Sequence, residues 1–476
     1  MNQLESLAAF SRLTPPPLSH AAGAPAVLSA CGIDLDIGRQ RITPDDLGLM
    51  HDIATASGVL RAHKAMMSGE IVNLSEGRPA LHTLLRAEDH AHPSLNEVLA
   101  TRSRIEVFAR AVRSDQWRGA TAEPITDVIN IGIGGSDAGP RMVARALAGL
   151  ADGPKLHFVS NVDGSAIAGL LPRLDPRRTL VIVSSKSFST RETLLNARAV
   201  LAWLGEAGIA GAKLAQHVIA VSARPDAAAS LGLPADNQFP LWDWVGGRFS
   251  VWSAIGLPVM LAQGPEVFAK LLAGARAMDR HSVEAPLAAN LPANLAMLAA
   301  WNSIALKASM HCVLPYDDRL AAMIPWLQQL EMESLGKSRR TDGKLSQHAT
   351  GQAVWGGVGT DVQHTFFQWL RQGTGRTSVD ILWVESFEHD YPEHHASLLA
   401  NARAQADALV SPDEDSLAVN AVSTLSLAEL SPERLGALLA LYEHKTTMLA
   451  TILGINAFDQ PGVELGKKLA RRLEGF

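Results

Sequence analysis

A chain of 476 residues is longer than one hydrophobic core usually organises, so two domains are expected. Apolar residues at 47% and charged residues at 19% suit a soluble globular enzyme. The formal charge of -6, from 48 acidic against 42 basic residues, gives no electrostatic drive toward nucleic acid or an anionic membrane, so any anion must be bound locally.

The opening MNQLESLAAFSRLTPPPLSH has no basic region followed by a continuous apolar stretch. No run approaches the roughly 20 apolar residues that span a bilayer. Only Cys31 and Cys312 are present, far apart and outside any CxxC or Cys/His ligand spacing. Idle thiols in a reducing compartment and cytoplasmic placement are the expectation.

Residues before about 120 read as helices and loops rather than sheet, with an interruption at Pro15-Pro-Pro17 and a helix over Leu95 to Arg113. From Ile125 to Leu257 the pattern changes. Apolar runs at Asp127 to Gly132, Leu156 to Ser160, Thr179 to Ser184 and His217 to Ser222 alternate with helical segments. That alternation predicts βαβ units and a parallel sheet, with ligands at the carboxyl ends of its strands.

Gly132-Ile-Gly-Gly-Ser-Asp-Ala-Gly139 follows the first of these runs. A dinucleotide fingerprint needs a third glycine at position 137, where Asp137 stands, although Asp163 after the next strand could mimic the ribose-binding acid. A phosphate at the helix N-terminus and a plain tight turn both remain open for this motif. Ser184-Ser-Lys-Ser-Phe-Ser-Thr-Arg-Glu-Thr193 crowds Ser185, Ser187, Ser189, Thr190 and Lys186 into a second strand-to-helix junction. Helix capping needs one hydroxyl, whereas a phosphate dianion offers several strong acceptors, so four hydroxyls and an ammonium fit a phosphate cradle better. One sugar phosphate shared between adjacent strand ends would account for both turns.

In Trp242-Asp-Trp-Val-Gly-Gly-Arg-Phe-Ser-Val-Trp-Ser-Ala254, Arg248 directly follows two glycines among aromatic residues, which marks it as a positioned cation suited to an oxyanion. The aromatics themselves read as core.

A helical stretch near Ala288 to Met310 separates this region from a second α/β region, with buried strands expected at Cys312-Val-Leu-Pro, Ala353-Val-Trp and Ser378 to Glu385. Between them, helical spacing in Leu327-Gln-Gln-Leu-Glu-Met-Glu-Ser334 puts Gln329 and Glu333 on one face and Glu331 elsewhere. Apolar neighbours suggest a partly buried Glu333 available as a base. The glycine-rich Gly356 to Gln368 enters a helix with Gln363 and His364 in its first turns. His389, Asp390, Glu393, His394 and His395 fit no standard zinc spacing and are expected on an exposed loop. The end reads as helix from Leu435, an interruption from Gly454 to Gly462, and a final helix bearing Lys467 and Lys468. The pattern divides the chain into 1–119, a helical segment; 120–280 and 281–440, two α/β regions; and 441–476, a helical end.

Together these blocks resemble the glucose-6-phosphate isomerase (phosphoglucose isomerase) family from about Gly69 onward. Ile71-Val-Asn-Leu-Ser-Glu, Leu81-His82, Leu84-Leu-Arg86, Phe158 to Gly164 and Leu441-Tyr-Glu-His-Lys445 extend the likeness, and Asp243 to Gly256 and Asn456 to Lys468 are its strongest pieces. The resemblance implies two α/β/α sandwiches of the sugar isomerase (SIS) type, the first smaller and the second larger, with the N-terminal segment packed on the larger. It implies interconversion of glucose 6-phosphate and fructose 6-phosphate through ring opening and an enediolate, in glycolysis and gluconeogenesis, by a homodimer with no metal or organic cofactor. Gly135, Ser136, Ser185, Lys186, Ser187 and Thr190 would hold the phosphate, Glu333 would move the proton between C2 and C1, and Arg248 would face the enediolate. His364, donated by the other subunit, and Lys467 would serve ring opening, with Gln329 and Gln460 on the sugar. A bifunctional glucose/mannose-6-phosphate isomerase would share these residues, and a non-catalytic sugar-phosphate-binding protein would need only the phosphate hydroxyls. The chain departs from the family's common pattern at Leu330, Glu331 and Leu335 around the base, at Ser187 and Ser189, at Gly357, Val358, Asp361 and Val362, and at Pro461.

Overall fold

The computed structural model describes residues 27–412 and 420–473, so the Pro15-Pro-Pro17 interruption lies outside the described residues. The strands, in chain order, are β1 (Val27–Ala30), β2 (Ile33–Asp36), β3 (Ile71–Asn73), β4 (Arg78–Pro79), β5 (Asp127–Ile131), β6 (Lys155–Val159), β7 (Thr179–Ser184), β8 (Val218–Ser222), β9 (Gln238–Pro240), β10 (Met310–Tyr316), β11 (Ala353–Gly356), β12 (Thr377–Val384) and β13 (Ala421–Leu427).

One sheet has the order β6-β5-β7-β8-β9 and is parallel throughout. Its central strand β7 reads Thr-Leu-Val-Ile-Val-Ser and is buried at every position, as the continuous apolar run requires of a strand covered on both faces. A second large sheet has the order β1-β2-β13-β12-β10-β11; β11, β10, β12 and β13 run parallel, β2 and β1 are antiparallel additions, and β3 and β4 form a separate antiparallel pair. The expected α/β class with two parallel-dominated sheets is therefore present.

The early segment departs from its helical reading. β2 pairs with β13 through Thr424↔Asp36, Leu425↔Leu35, Ser426↔Asp34 and Leu427↔Ile33. Its alternation, Ile33 and Leu35 buried and Asp34 exposed, spans only four residues, and the strand that joins it to the sheet lies near the other end of the chain. The helix over Leu95–Arg113 is present. Among the described residues, no helix is long and apolar enough to cross a membrane.

The helix Pro432–Leu453 runs through the interior, buried along nearly its whole length. Ser431 caps its start by accepting from the Arg434 N–H, Pro432 occupies the first turn, and Gly454 at φ 69° ends it. A Cβ on Gly436 would collide with the Leu271 carbonyl of the helix Pro265–Glu284, so glycine there lets the two helices meet backbone to backbone. Arg86 ties the early segment to this core. Wholly buried, it donates to Asp279 at 2.5 and 2.7 Å and to Glu443 at 2.6 Å.

Candidate active site

β5 and β7 pair directly, Asp127↔Thr179 through Ile131↔Val183, so the two phosphate-type turns leave adjacent strand ends on the same edge. The first enters the helix Gly135–Ala146 and the second the helix Arg191–Glu206. Gly134 has φ +62°, and a Cβ on Gly135 would collide with the Gly247 carbonyl. The first turn can therefore pack against the Gly247 carbonyl only because Gly135 lacks a side chain. Ser250 Oγ closes it by donating to the Gly247 carbonyl at 2.6 Å.

Thr190 stands at the N-cap of Arg191–Glu206 but its side chain makes no capping bond. Ser185 Oγ accepts from the Phe188 N–H at 3.1 Å, and Ser187 Oγ accepts from the Ser189 N–H at 3.3 Å and from the Ser189 hydroxyl at 2.9 Å. These bonds shape the loop and leave the helix N-terminus uncapped by side chains, the condition under which an anion is favoured. Thr193, one turn into the helix, has a buried hydroxyl oxygen with no partner and lines the same cleft. It belongs to the quoted hydroxyl-rich run, where its place beyond the helix start hid it.

The cleft has a volume of about 380 Å³ and is lined by Gly135, Ser136, Ser185, Lys186, Ser187, Thr190, Gln329, Glu333, Gln460 and Lys467. Of the residues to which the family resemblance gives a role, Arg248 and His364 are not on its wall, and neither is Ser189 of the hydroxyl-rich turn. Arg248 lies directly behind Glu333. Its Nε donates to Ser334 Oγ at 2.7 Å, Nη1 to Gln460 Oε1 at 3.1 Å, and Nη2 to the carbonyls of Ala457 at 2.5 Å and Asp459 at 3.2 Å. Nη1 is 3.4 Å from Glu333 Oε1; the arginine side chain is 1% exposed and the glutamate 24%. Burial pulls the guanidinium below its ordinary range, opposed by the charges of Glu333 and Asp459. A fully fixed, poorly hydrated cation thus stands beside a carboxylate that faces the cleft.

Helical spacing put Gln329 and Glu333 together, but the backbone that does so is a π-helical turn, Gln328–Met332, leading into Glu333–Leu335. Lys337 secures its end by donating to the carbonyls of Glu333, Ser334 and Asn456, each at 3.0 Å. Lys186 reaches the cleft with its Nζ donating to the Asp243 and Val245 carbonyls at 2.8 Å each. Burial, with Arg78 nearby, lowers its pKa to about 8. Lys467 sits on the helix Glu464–Leu473, exposed and paired with Glu464 at 2.8 Å.

His364 is exposed, at the end of the short turn Asp361–His364, and Gln363 beside it donates to the Tyr316 hydroxyl at 2.8 Å. His82 lies closer to the chemistry than the sequence indicated. It lines the cleft, is buried against Phe249 with ring centroids 4.5 Å apart, and is held neutral by burial and by Arg86. Trp244 and Phe249, read as core, also reach the cleft wall. Asp163 caps the helix Gly164–Leu170, accepting from the Ser165 N–H at 3.0 Å, which explains it without a ribose. The second histidine group is not all loop: Glu393, His394 and His395 begin the helix Pro392–Ala408, and His395 is buried against the Glu385 carbonyl at 2.9 Å.

A family model described as Phosphoglucose isomerase matches residues 36–475. Glucose-6-phosphate isomerase of Cupriavidus taiwanensis is 46% identical over 479 residues, covering 94% of this chain and 87% of that protein. That of Burkholderia ambifaria is 46% identical over 464 residues, covering 93% and 86%. The crystal structure of a glucose-6-phosphate isomerase from Chlamydia trachomatis has a TM-score of 0.90 at 31% identity and covers all of this chain, with 96% of its own length matched.

Proposed function

The chain belongs to the phosphoglucose isomerase family and catalyses the reversible isomerisation of glucose 6-phosphate to fructose 6-phosphate, and we propose that it does so in the cleft at the ends of β5 and β7. The observation that carries this assignment is Glu333 on the cleft wall with Arg248 3.4 Å behind it, on the same cleft as two helix N-termini uncapped by side chains.

A proton next to a carbonyl is weakly acidic, so its removal needs a base at the carbon and positive charge at the oxygen together. Glu333 takes the proton from C2 of the open-chain aldose and returns it at C1, on one face of a planar enediolate. Arg248, fixed behind Glu333, supplies the positive charge that favours the oxygen on which negative charge develops. Its hydrogen bonds to fixed backbone carbonyls mean that little reorganisation is needed at that moment. The phosphate binds at Gly135, Ser136, Ser185, Ser187 and Thr190, with Lys186 adding charge below about pH 8. It takes no part in the proton transfer, and its binding energy holds C1 and C2 against the base. Gln329 and Gln460 orient the sugar hydroxyls, and Lys467 serves ring opening.

His364 is exposed in its own chain and absent from that chain's cleft, which supports a homodimer in which it completes the neighbouring site. We place the enzyme in the cytoplasm, in glycolysis and gluconeogenesis. A coupled assay of fructose 6-phosphate conversion, run beside mannose 6-phosphate, tests the function. Turnover of both would indicate the bifunctional isomerase, and binding without turnover a sensor.

A further inference from the structure

Glu331 has no part in the chemistry above, yet it is held more elaborately than the base itself. It lies in the π-helical turn Gln328–Met332, two residues from Gln329 and two from Glu333. Those two line the cleft, whereas Glu331 points into the core with its side chain 5% exposed. Its Oε1 accepts from Lys445 Nζ at 2.8 Å, and its Oε2 lies 3.7 Å from His311 Nδ1. His311 Nε2 is 3.0 Å from Asp380 Oδ2, which also accepts from the Tyr442 hydroxyl at 3.0 Å. Lys445, His311 and Asp380 have side chains 2%, 4% and 7% exposed.

These partners come from β10, β12 and the helix Pro432–Leu453, all buried along nearly their whole length. Burial would draw the proton off His311, but Asp380 and Glu331 outweigh it and hold the imidazole above its ordinary range. Burial would likewise favour neutral Glu331, and Lys445 and His311 reverse that. Apolar side chains would fill the same space at least as stably, so stability alone does not account for a buried ionic network. Such a network fixes direction and register, which apolar contacts do not. Register matters here because a π turn carries one residue more than an α turn. Slipping into α register would turn the face shared by Gln329 and Glu333 by up to about 100° relative to the preceding helix Met323–Leu327, and so carry Glu333 off the cleft wall.

We propose that Glu331, backed by Lys445, His311 and Asp380, is a positioning residue that locks the π turn in the register presenting Glu333 to C2 and C1 of the substrate. The inference rests on Glu333 being the base.

Glu331→Gln keeps the shape and removes the charge, and Glu331→Asp keeps the charge on a shorter arm. For each folded variant, the readouts are kcat, KM, inorganic phosphate affinity, the primary isotope effect with substrate deuterated at C2, and the fraction of label carried from C2 to C1. Misplacing the base should lower kcat by up to about 100-fold while KM and phosphate affinity move little. It should also raise the isotope effect and reduce internal label transfer, with Glu331→Asp between the wild type and Glu331→Gln. A fall in kcat with isotope effect and transfer unchanged would mean only a smaller active fraction, and would overturn the inference, as would wild-type kinetics. If Glu331→Gln does not fold, Glu331→Asp decides by the same readouts. Glu333→Gln measured alongside separates the two claims. Full activity there would defeat the base assignment itself, whereas an inactive Glu333→Gln beside wild-type behaviour at position 331 would defeat only the positioning role.

Discussion

Arg248 Nη1 and Glu333 Oε1 lie 3.4 Å apart, although the two residues approach from different parts of the chain and only the glutamate faces the cleft. The arginine is held by the loop that carries Gln460, through the carbonyls of Ala457 and Asp459, and the glutamate by the π turn. The two anchors are linked, since Arg248 Nε also donates to Ser334 Oγ and Lys337 bridges the Glu333 and Asn456 carbonyls. The two side chains can still be changed without removing a hydroxyl of the phosphate turns.

Arg248→Lys keeps a positive charge but cannot reproduce the bonds to Ser334, Gln460 and the two carbonyls. Its kcat should fall by roughly 100- to 1,000-fold, as for loss of one oxyanion donor. Binding of inorganic phosphate should be nearly unchanged. A defect confined to KM would contradict the assigned role.

Ser187→Ala and Thr190→Ala each remove a hydroxyl from the cleft wall without touching Glu333 or Arg248. Loss of one hydrogen bond to a charged group should weaken inorganic phosphate and sugar phosphate alike, by roughly 10- to 100-fold. Calorimetry with both ligands checks this. Equal affinities in wild type and variants would return these residues to shaping the loop.

Lys186, with its pKa lowered to about 8, makes phosphate binding sensitive to alkaline pH. As pH rises from 8 to 9.5 the cation is lost, so affinity for a sugar phosphate dianion should fall in the wild type. In Lys186→Met it should be weaker throughout and show no such fall. The effect on folding has the opposite sign. Between about 8 and the ordinary lysine range the unfolded chain holds more protons than the folded one, so this site adds stability as pH rises through that window. A pH-independent wild-type affinity would show that the ammonium does not face the phosphate.

Much of the site was legible because its chemistry is concentrated in short local motifs. The strand-turn-helix pattern at Gly132 and Ser184 placed both turns at strand ends, and the direct pairing of β5 with β7 brought them together. What escaped was set by distant contacts. β2 is four residues, paired on one side with the equally short β1 and on the other with β13, too little alternation to be told from loop without the distant strand. Regular 3.6-residue spacing identified the face shared by Gln329 and Glu333, but a π turn has no sequence period of its own. Lys337 read as an ordinary residue until the fold set it under the Glu333 carbonyl, as did His82 and Thr193 until it set them on the cleft wall.

The shared-site dimer predicts recovery of activity from two dead proteins. Glu333→Gln and His364→Ala homodimers should each fail to turn over cyclic substrate. Unfolded together and refolded, they should form mixed dimers with one doubly damaged site and one intact site, and activity should return. If each chain held a complete site, every site would carry a lesion, and the mixture would be no more active than either protein refolded alone.

The most direct test of the account is Glu333→Gln assayed with glucose 6-phosphate deuterated at C2. The substitution preserves the shape and removes the base, so turnover should fall by roughly 100- to 10,000-fold. Movement of label to C1 and its loss to solvent should fall together with turnover, while inorganic phosphate still binds with wild-type affinity. Near-normal turnover with label still leaving C2 would show that another group takes the proton, and would contradict the central claim.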